Sequence, residues 1–87
     1  MKGYVYILKD QKNKYYIGST SDVARRMRQH YSKHTQTTRN MIQPLLVLTQ
    51  EYKTIEIARK IEKKIKNLKR KDYIKKMIVD GSIKIEI

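Results

Sequence analysis

Five side chains in this chain could carry a reaction together: Tyr6, Tyr16, Arg26, His30 and Glu62. Four of them lie in one stretch, Y-V-Y-I-L-K-D-Q-K-N-K-Y-Y-I-G-S-T-S-D-V-A-R-R-M-R-Q-H, which runs from Tyr4 to His30. Two phenols, a guanidinium, an imidazole and a carboxylate make a workable set for cleaving a phosphodiester. The scissile phosphate is anionic and gains charge as water attacks, so a cation must meet it. An arginine fork matches phosphate oxygens better than a lysine does. A carboxylate can help hold a divalent ion at the leaving oxygen, with substrate and waters filling the other positions. A phenol near such an ion and an arginine has its ionisation favoured, which makes a tyrosinate base feasible.

Each residue also has a purely structural reading. Tyr6 and Tyr16 suit half-buried strand positions. Arg26 can pair with Asp22 four residues earlier, an exposed contact worth about 0.3–0.5 kcal/mol. His30 suits a helix C-terminus, where the macrodipole favours it. Glu62 can pair with Lys66. Their co-occurrence, rather than any one of them, points to a site. Other chemistries lack their residues: the sequence contains no phosphate loop of the G-x-x-x-x-G-K-[ST] type, no H-E-x-x-H and no G-x-S-x-G elbow. His30 and His34 are the two histidines, and the polar residues between them argue against a metal pair on one helix.

The elements that must position these residues are readable in order. Tyr4 to about Leu8 and about Tyr15 to Ile17 are alternating runs around a turn containing Asp10 and Asn13, which predicts a β-hairpin. Gly18 closes the second strand, and Ser19 to Asp22 supply helix N-cap chemistry. A helix follows from about Asp22 to Tyr31, with Val23, Ala24, Met27 and Tyr31 on its apolar face. Arg26 and His30 flank that face, whereas Arg25, Arg28 and Gln29 point elsewhere. Ser32 to Gln43 reads as a polar loop, and Pro44 opens a third strand from Leu45 to about Tyr52. Thr54 caps a second helix to about Lys69, whose stripe is Ile57, Ala58, Ile61, Ile65 and Leu68. Glu62 falls on the margin of that stripe, with Lys60, Lys63, Lys64 and Asn67 opposite. Asp72 is a candidate cap for a short third helix through Ile74, Met77 and Ile78, stopped by Gly81. The alternating tail from Ser82 to Ile87 suits either an edge strand or a frayed end.

The 87 residues are expected to form one domain, with no internal repeat or linker. No cysteine is present, which rules out disulfides, thiolate metal sites and a cysteine nucleophile, and suits a reducing cytoplasm. A net charge of +13 concentrates polyanions, of which nucleic acid is the commonest. The longest apolar run, Leu45 to Leu48, is far short of the roughly 20 residues a bilayer span needs, and no secretory signal follows Met1-Lys2. The expected setting is therefore the cytoplasm, away from membranes.

Taken together, these residues resemble the GIY-YIG nuclease superfamily, closest to its small stand-alone members. Tyr4-Val5-Tyr6 corresponds to the first motif and Tyr16-Ile17-Gly18 to the second. V-A-R-R-M-R-Q-H resembles the arginine helix with Arg26 at the catalytic position, and A-R-K-I-E-K-K-I-K-N-L the helix bearing the metal-binding glutamate, here Glu62. The resemblance implies a small α+β fold with a central three-stranded antiparallel sheet flanked by helices. It implies an endonuclease using Mg2+ or Mn2+ on nucleic acid, DNA more than RNA. Tyr6 and Tyr16 would line the site, one of them orienting or deprotonating the attacking water. Arg26 would stabilise phosphoryl charge, His30 would handle phosphate or a proton, Glu62 would hold the metal, and Gly18 would allow a tight turn beneath the site. Tyr4 stands where larger members have glycine, and no residue matches their asparagine downstream of the glutamate, since Asn67 faces away from Glu62. Substrate recognition would fall to the basic surface around Lys60–Lys76 and to the Ser32–Gln43 loop. The alternative is a non-catalytic nucleic-acid-binding module on the same fold, and a third reading is an RNA- or ribosome-associated basic protein.

Overall fold

The computed structural model describes residues 1–32 and 44–85. The polar segment that holds His34, and the last two residues of the tail, lie outside the described residues. The chain begins with strand β1 (Gly3–Lys9), which turns back into β2 (Tyr15–Thr20). The turn is built by Asp10, which is 3% exposed. Its carboxylate accepts the backbone N–H of Lys12 at 2.9 Å and of Lys14 at 2.8 Å. Asn13 takes the left-handed conformation at φ 62°, which asparagine tolerates better than most residues. Charge-assisted bonds of this kind contribute about 1.5–3 kcal/mol each when a buried partner would otherwise be lost. Asp10→Ala is therefore expected to lower unfolding stability by about 2 kcal/mol in a urea titration.

β3 (Leu45–Tyr52) completes an antiparallel sheet in the order β2-β1-β3. Central β1 is buried on both faces, with Val5, Tyr6, Ile7 and Leu8 all at 0% exposure, which explains why its sequence reads as a nearly continuous apolar run. A register shift between Ile7 and Leu8 lets β3 slip one residue there, as a β-bulge does.

Helix α1 (Val23–Tyr31) covers one face of the sheet. Asp22 caps it by accepting the Arg25 N–H at 3.0 Å. Between α1 and the sheet, Met27 and Val23 of the helix pack with Tyr6, Leu8, Tyr16 and Leu46 of the strands. The opposite face carries the larger core: Val5, Ile7, Ile17 and Leu48 pack against Ala58, Ile61 and Ile65 of helix α2 (Ile55–Leu68) and Ile74 and Met77 of helix α3 (Lys71–Asp80). Thr54 caps α2 through the Ile57 N–H. Lys69, at φ 52°, ends α2 in the left-handed region, and Gly81, at φ 73°, ends α3 in the same way.

The three-stranded sheet and flanking helices agree with the α+β expectation, and four local details differ. β2 continues past Gly18 to Thr20 because Ser19 and Thr20 still pair with Val5 and Tyr4. Ala24, Tyr31 and Leu68 are exposed rather than packed; Tyr31 and Leu68 are the last residues of their helices. Asp72 does not cap α3. Arg70 occupies that position without a side-chain cap bond, and Asp72 sits in the first turn, paired with Arg70 at 2.7 Å. Residues 82–85 are neither strand nor frayed. The Gln50 amide bonds both backbone groups of Ile83, at 2.9 and 2.7 Å, and Ile83 is buried.

Candidate active site

Tyr6 is the centre of a cluster on the α1 face. Its side chain is fully buried, and its hydroxyl accepts the Nε–H of Arg26 at 3.1 Å and shares a hydrogen bond with His30 Nε2 at 3.0 Å. Arg26 also donates from Nη1 to Gln29 Oε1 at 3.0 Å. The guanidinium is thus held at two points while remaining half-buried rather than enclosed. His30 is fully buried, its ring edge-on to Tyr6 at 5.7 Å and to Tyr16 at 5.3 Å. Tyr16 lies 6.1 Å from Tyr6 and is half-buried. A chain fragment of two strands and one helix therefore brings Tyr6, Tyr16, Arg26 and His30 together.

Glu62 approaches from the other face of the sheet, and β2 is where the two faces meet. β2 is an edge strand, so a side chain on α2 can reach around it. Along β2, Ile17 faces the α2 core while Tyr16 faces the α1 cluster. Alternation returns Ser19 to the α2 side, where its hydroxyl donates to Glu62 Oε1 at 2.5 Å. Glu62 Oε2 is ion-paired with Lys66 Nζ at 2.7 Å. That ammonium also stands 5.7 Å from the centre of the Tyr16 ring. Glu62 is therefore joined to the cluster through Ser19 and Lys66, around the sheet edge.

Gly18 has a different role from the tight turn expected of it. It is a mid-strand residue directly opposite Tyr6 in the ladder, and its φ is not positive. The Tyr6 ring lies across it: a Cβ here would fall 2.4 Å from the Tyr6 hydroxyl oxygen and 2.5 Å from Cζ. Glycine is needed because the phenol occupies the space of a side chain. Ser19, Gln29 and Lys66 were not singled out from sequence as site residues. Gln29 was expected to point away, yet its i,i+3 spacing from Arg26 puts the two on neighbouring helix positions.

Burial dominates the electrostatics. It pushes the Tyr6 phenol up to about 12, outweighing the Arg26 hydrogen bond, which acts in the opposite direction. Tyr6 is thus protonated at neutral pH, and the tyrosinate role expected of a phenol beside an arginine does not suit it. The hydrogen bond to Tyr6 pushes the Arg26 guanidinium up, so its charge is secure. Burial, helped by the Arg26 charge, pulls His30 below 6.5, leaving it neutral at pH 7. Between the lowered value and 6.5 the unfolded chain binds more protons than the folded one. The stabilisation from His30 is therefore complete above about pH 6.5 and is lost as pH falls. Melting temperatures measured from about pH 5 to pH 8 should fall on the acid side, and His30→Phe should flatten that slope.

The fit of a divalent ion rests on the donor set. Among the described residues no group of three or more His, Cys, Asp or Glu gathers, and of the five site residues Glu62 is the one carboxylate. Hard oxygen donors and a single carboxylate suit Mg2+ or Mn2+, which keep waters and take further oxygens from a phosphate substrate. A separate groove of about 500 Å³ between α2, α3 and the tail, lined by Leu68, Tyr73, Met77 and Ile85 among others, includes none of the five site residues. Among the described residues no helix is long and apolar enough to cross a membrane.

Comparison with known proteins agrees with this geometry. The family model described as the GIY-YIG catalytic domain matches residues 2–77. A comparison with curated proteins gives no match. Among solved structures, the UPF0213 protein BH0048 from Bacillus halodurans, determined by solution NMR, is 34% identical with a TM-score of 0.59. The match covers 93% of this chain and 87% of that one. The chain belongs to the GIY-YIG catalytic-domain family, whose members are typically nucleases.

Proposed function

We propose that this protein is a metal-dependent endonuclease that hydrolyses nucleic-acid phosphodiester bonds, DNA in preference to RNA, in the cytoplasm. The observation that carries the reading is the Arg26 guanidinium. It is fixed by Tyr6 and Gln29, half-open to solvent, and gathered with His30 of α1 against Tyr16 of β2, the strand whose other side carries Ser19, the partner of Glu62 on α2. A fixed cation of this kind stabilises the charge that develops on phosphate oxygens without reorganising as the reaction proceeds.

The roles follow from access. Tyr6 is sealed from solvent, so it acts as a positioning residue that orients Arg26 and His30. Tyr16, half-buried at the sheet edge, is the phenol able to meet and orient an attacking water. His30 is neutral and can accept the Tyr6 proton at Nε2 when its own proton sits on Nδ1. Glu62, steadied by Ser19, would hold the Mg2+ or Mn2+ together with substrate oxygens. When bound, the ion supplies charge neutralisation at the leaving oxygen. The lysines of α2 and α3, among them Lys60, Lys63, Lys64, Lys75 and Lys76, are exposed and suit the phosphate backbone, where contacts position a substrate without specifying its sequence.

One observation favours the alternative of a non-catalytic binder: the Glu62 carboxylate already has an ammonium partner in Lys66. A panel of plasmid, single-stranded DNA and structured RNA, incubated with Mg2+ or Mn2+, separates the two. The expected result is metal-dependent cutting with DNA as the better substrate. Salt-sensitive binding without cutting of any member would support the binder, and a strong preference for structured RNA would support an RNA-associated role.

A further inference from the structure

We infer that Lys66 is the resident cation of the candidate site, holding Glu62 until a metal ion enters and then passing to a backbone phosphate of the substrate. The inference rests on the reading of Glu62 as the metal carboxylate and extends it to how the site is loaded.

An ordinary helical i,i+4 pair lies on an exposed face. This one does not, because the Glu62 side chain is only 20% exposed while that of Lys66 is 48% exposed. The other carboxylate oxygen, Oε1, accepts the Ser19 hydroxyl, so an ion taking Glu62 as a ligand would compete with the lysine for Oε2. The ammonium lies 2.7 Å from Oε2 and 5.7 Å from the Tyr16 ring centre, between the two halves of the site. A divalent ion taken up here would have Glu62 as its carboxylate ligand. It would share Glu62 with a like-charged ammonium a few ångströms away, and the two repel. With four rotatable bonds and a half-exposed head, Lys66 is free to leave, and an incoming phosphate offers it a replacement for the carboxylate. Metal alone is then held weakly, and metal with substrate is held well. No intramolecular rearrangement of backbone is required.

The test measures Mn2+ binding by the whole chain without nucleic acid, by the electron paramagnetic resonance signal of free Mn2+ and by calorimetry. Lys66→Met keeps most of the unbranched stem of the side chain and removes its charge. It is expected to tighten Mn2+ binding about five- to tenfold, the scale of a lost partly exposed ion pair plus its repulsion. Lys66→Arg should restore wild-type weakness, and Glu62→Gln should lose the site. In a parallel titration with a single-stranded oligonucleotide at saturating Mn2+, under conditions where the strand stays uncut, Lys66→Met should reduce the salt dependence by about one phosphate contact, a slope change of about 0.7. Circular dichroism checks that each variant is folded. Equal Mn2+ affinity in wild type and Lys66→Met, or an unchanged salt slope, overturns the exchange. If Glu62→Gln binds Mn2+ as well as wild type does, the assignment of Glu62 fails and the exchange with it. If Glu62→Gln loses Mn2+ while Lys66→Met changes nothing, only the role of Lys66 fails.

Discussion

Replacing Arg26 with alanine is expected to slow phosphodiester cleavage by about 10²–10³-fold, equivalent to about 2.7–4 kcal/mol of transition-state stabilisation. The size follows from how the guanidinium is held. Its Nε–H is bound to Tyr6 and one Nη1–H to Gln29, so the fork is oriented before substrate arrives. A lysine could supply the charge but neither the planar fork nor both tethers. Arg26→Lys should therefore recover only part of the lost rate. Stability should change little, by about 1 kcal/mol, because the Tyr6 hydroxyl retains His30 as a partner. Single-turnover rates alongside melting curves distinguish these effects, since a misfolded variant would lose both together.

The second large effect is expected at Gly18. Gly18→Ala should destabilise the fold by about 1–3 kcal/mol, the usual range for forcing a methyl into filled space. The neighbour here is poorly able to yield. Tyr6 is fully buried and is bonded through its hydroxyl to Arg26 and His30, and the added Cβ would meet both its oxygen and Cζ. Relief requires the phenol to move, which also releases Arg26. The variant should consequently lose activity well beyond its loss of stability when assayed at a temperature where it remains folded. Urea titration and a cleavage assay on the same preparation check the two parts.

A related stability effect appears at high pH. The unfolded chain ionises Tyr6 near 10, whereas the folded chain holds it to about 12. The stabilisation from the buried phenol is therefore present below pH 10 and declines as pH rises through that interval.

Much of this could be read from residue order because local rules sufficed. The hairpin was legible from its alternation and from Asp10 and Asn13, α1 and α2 from their apolar spacing and from Asp22 and Thr54. The grouping of Tyr6, Tyr16, Arg26 and His30 needed only a hairpin followed directly by a helix. What was not legible depended on how the strands are ordered. Only with β2 at the sheet edge does Ser19 meet a glutamate on the far helix, and only then does Lys66 stand beside Tyr16. The depth of Tyr6 was hidden for the same reason: a tyrosine on a two-strand hairpin is half-exposed, but on the central strand of three, covered by α1, it is sealed. That burial reverses the ionisation expected from a neighbouring arginine. Asp72 carried good capping chemistry, yet the left-handed Lys69 and extended Arg70 set the start of α3 two residues ahead of where an Asp72 cap would place it. In the tail, the alternating pattern was satisfied by one Gln50 amide in place of a neighbouring strand.

The most direct measurement of the nuclease reading is cleavage of a DNA substrate by the wild-type chain and by Glu62→Ala, each with Mg2+ or Mn2+ and again with a chelator. Wild-type cleavage is expected to require the ion, and Glu62→Ala to reduce it by about 10³-fold, several kcal/mol of lost charge stabilisation. Cleavage that survives both the chelator and the Glu62→Ala substitution would contradict the reading, and so would the absence of any metal-dependent cutting by the wild type.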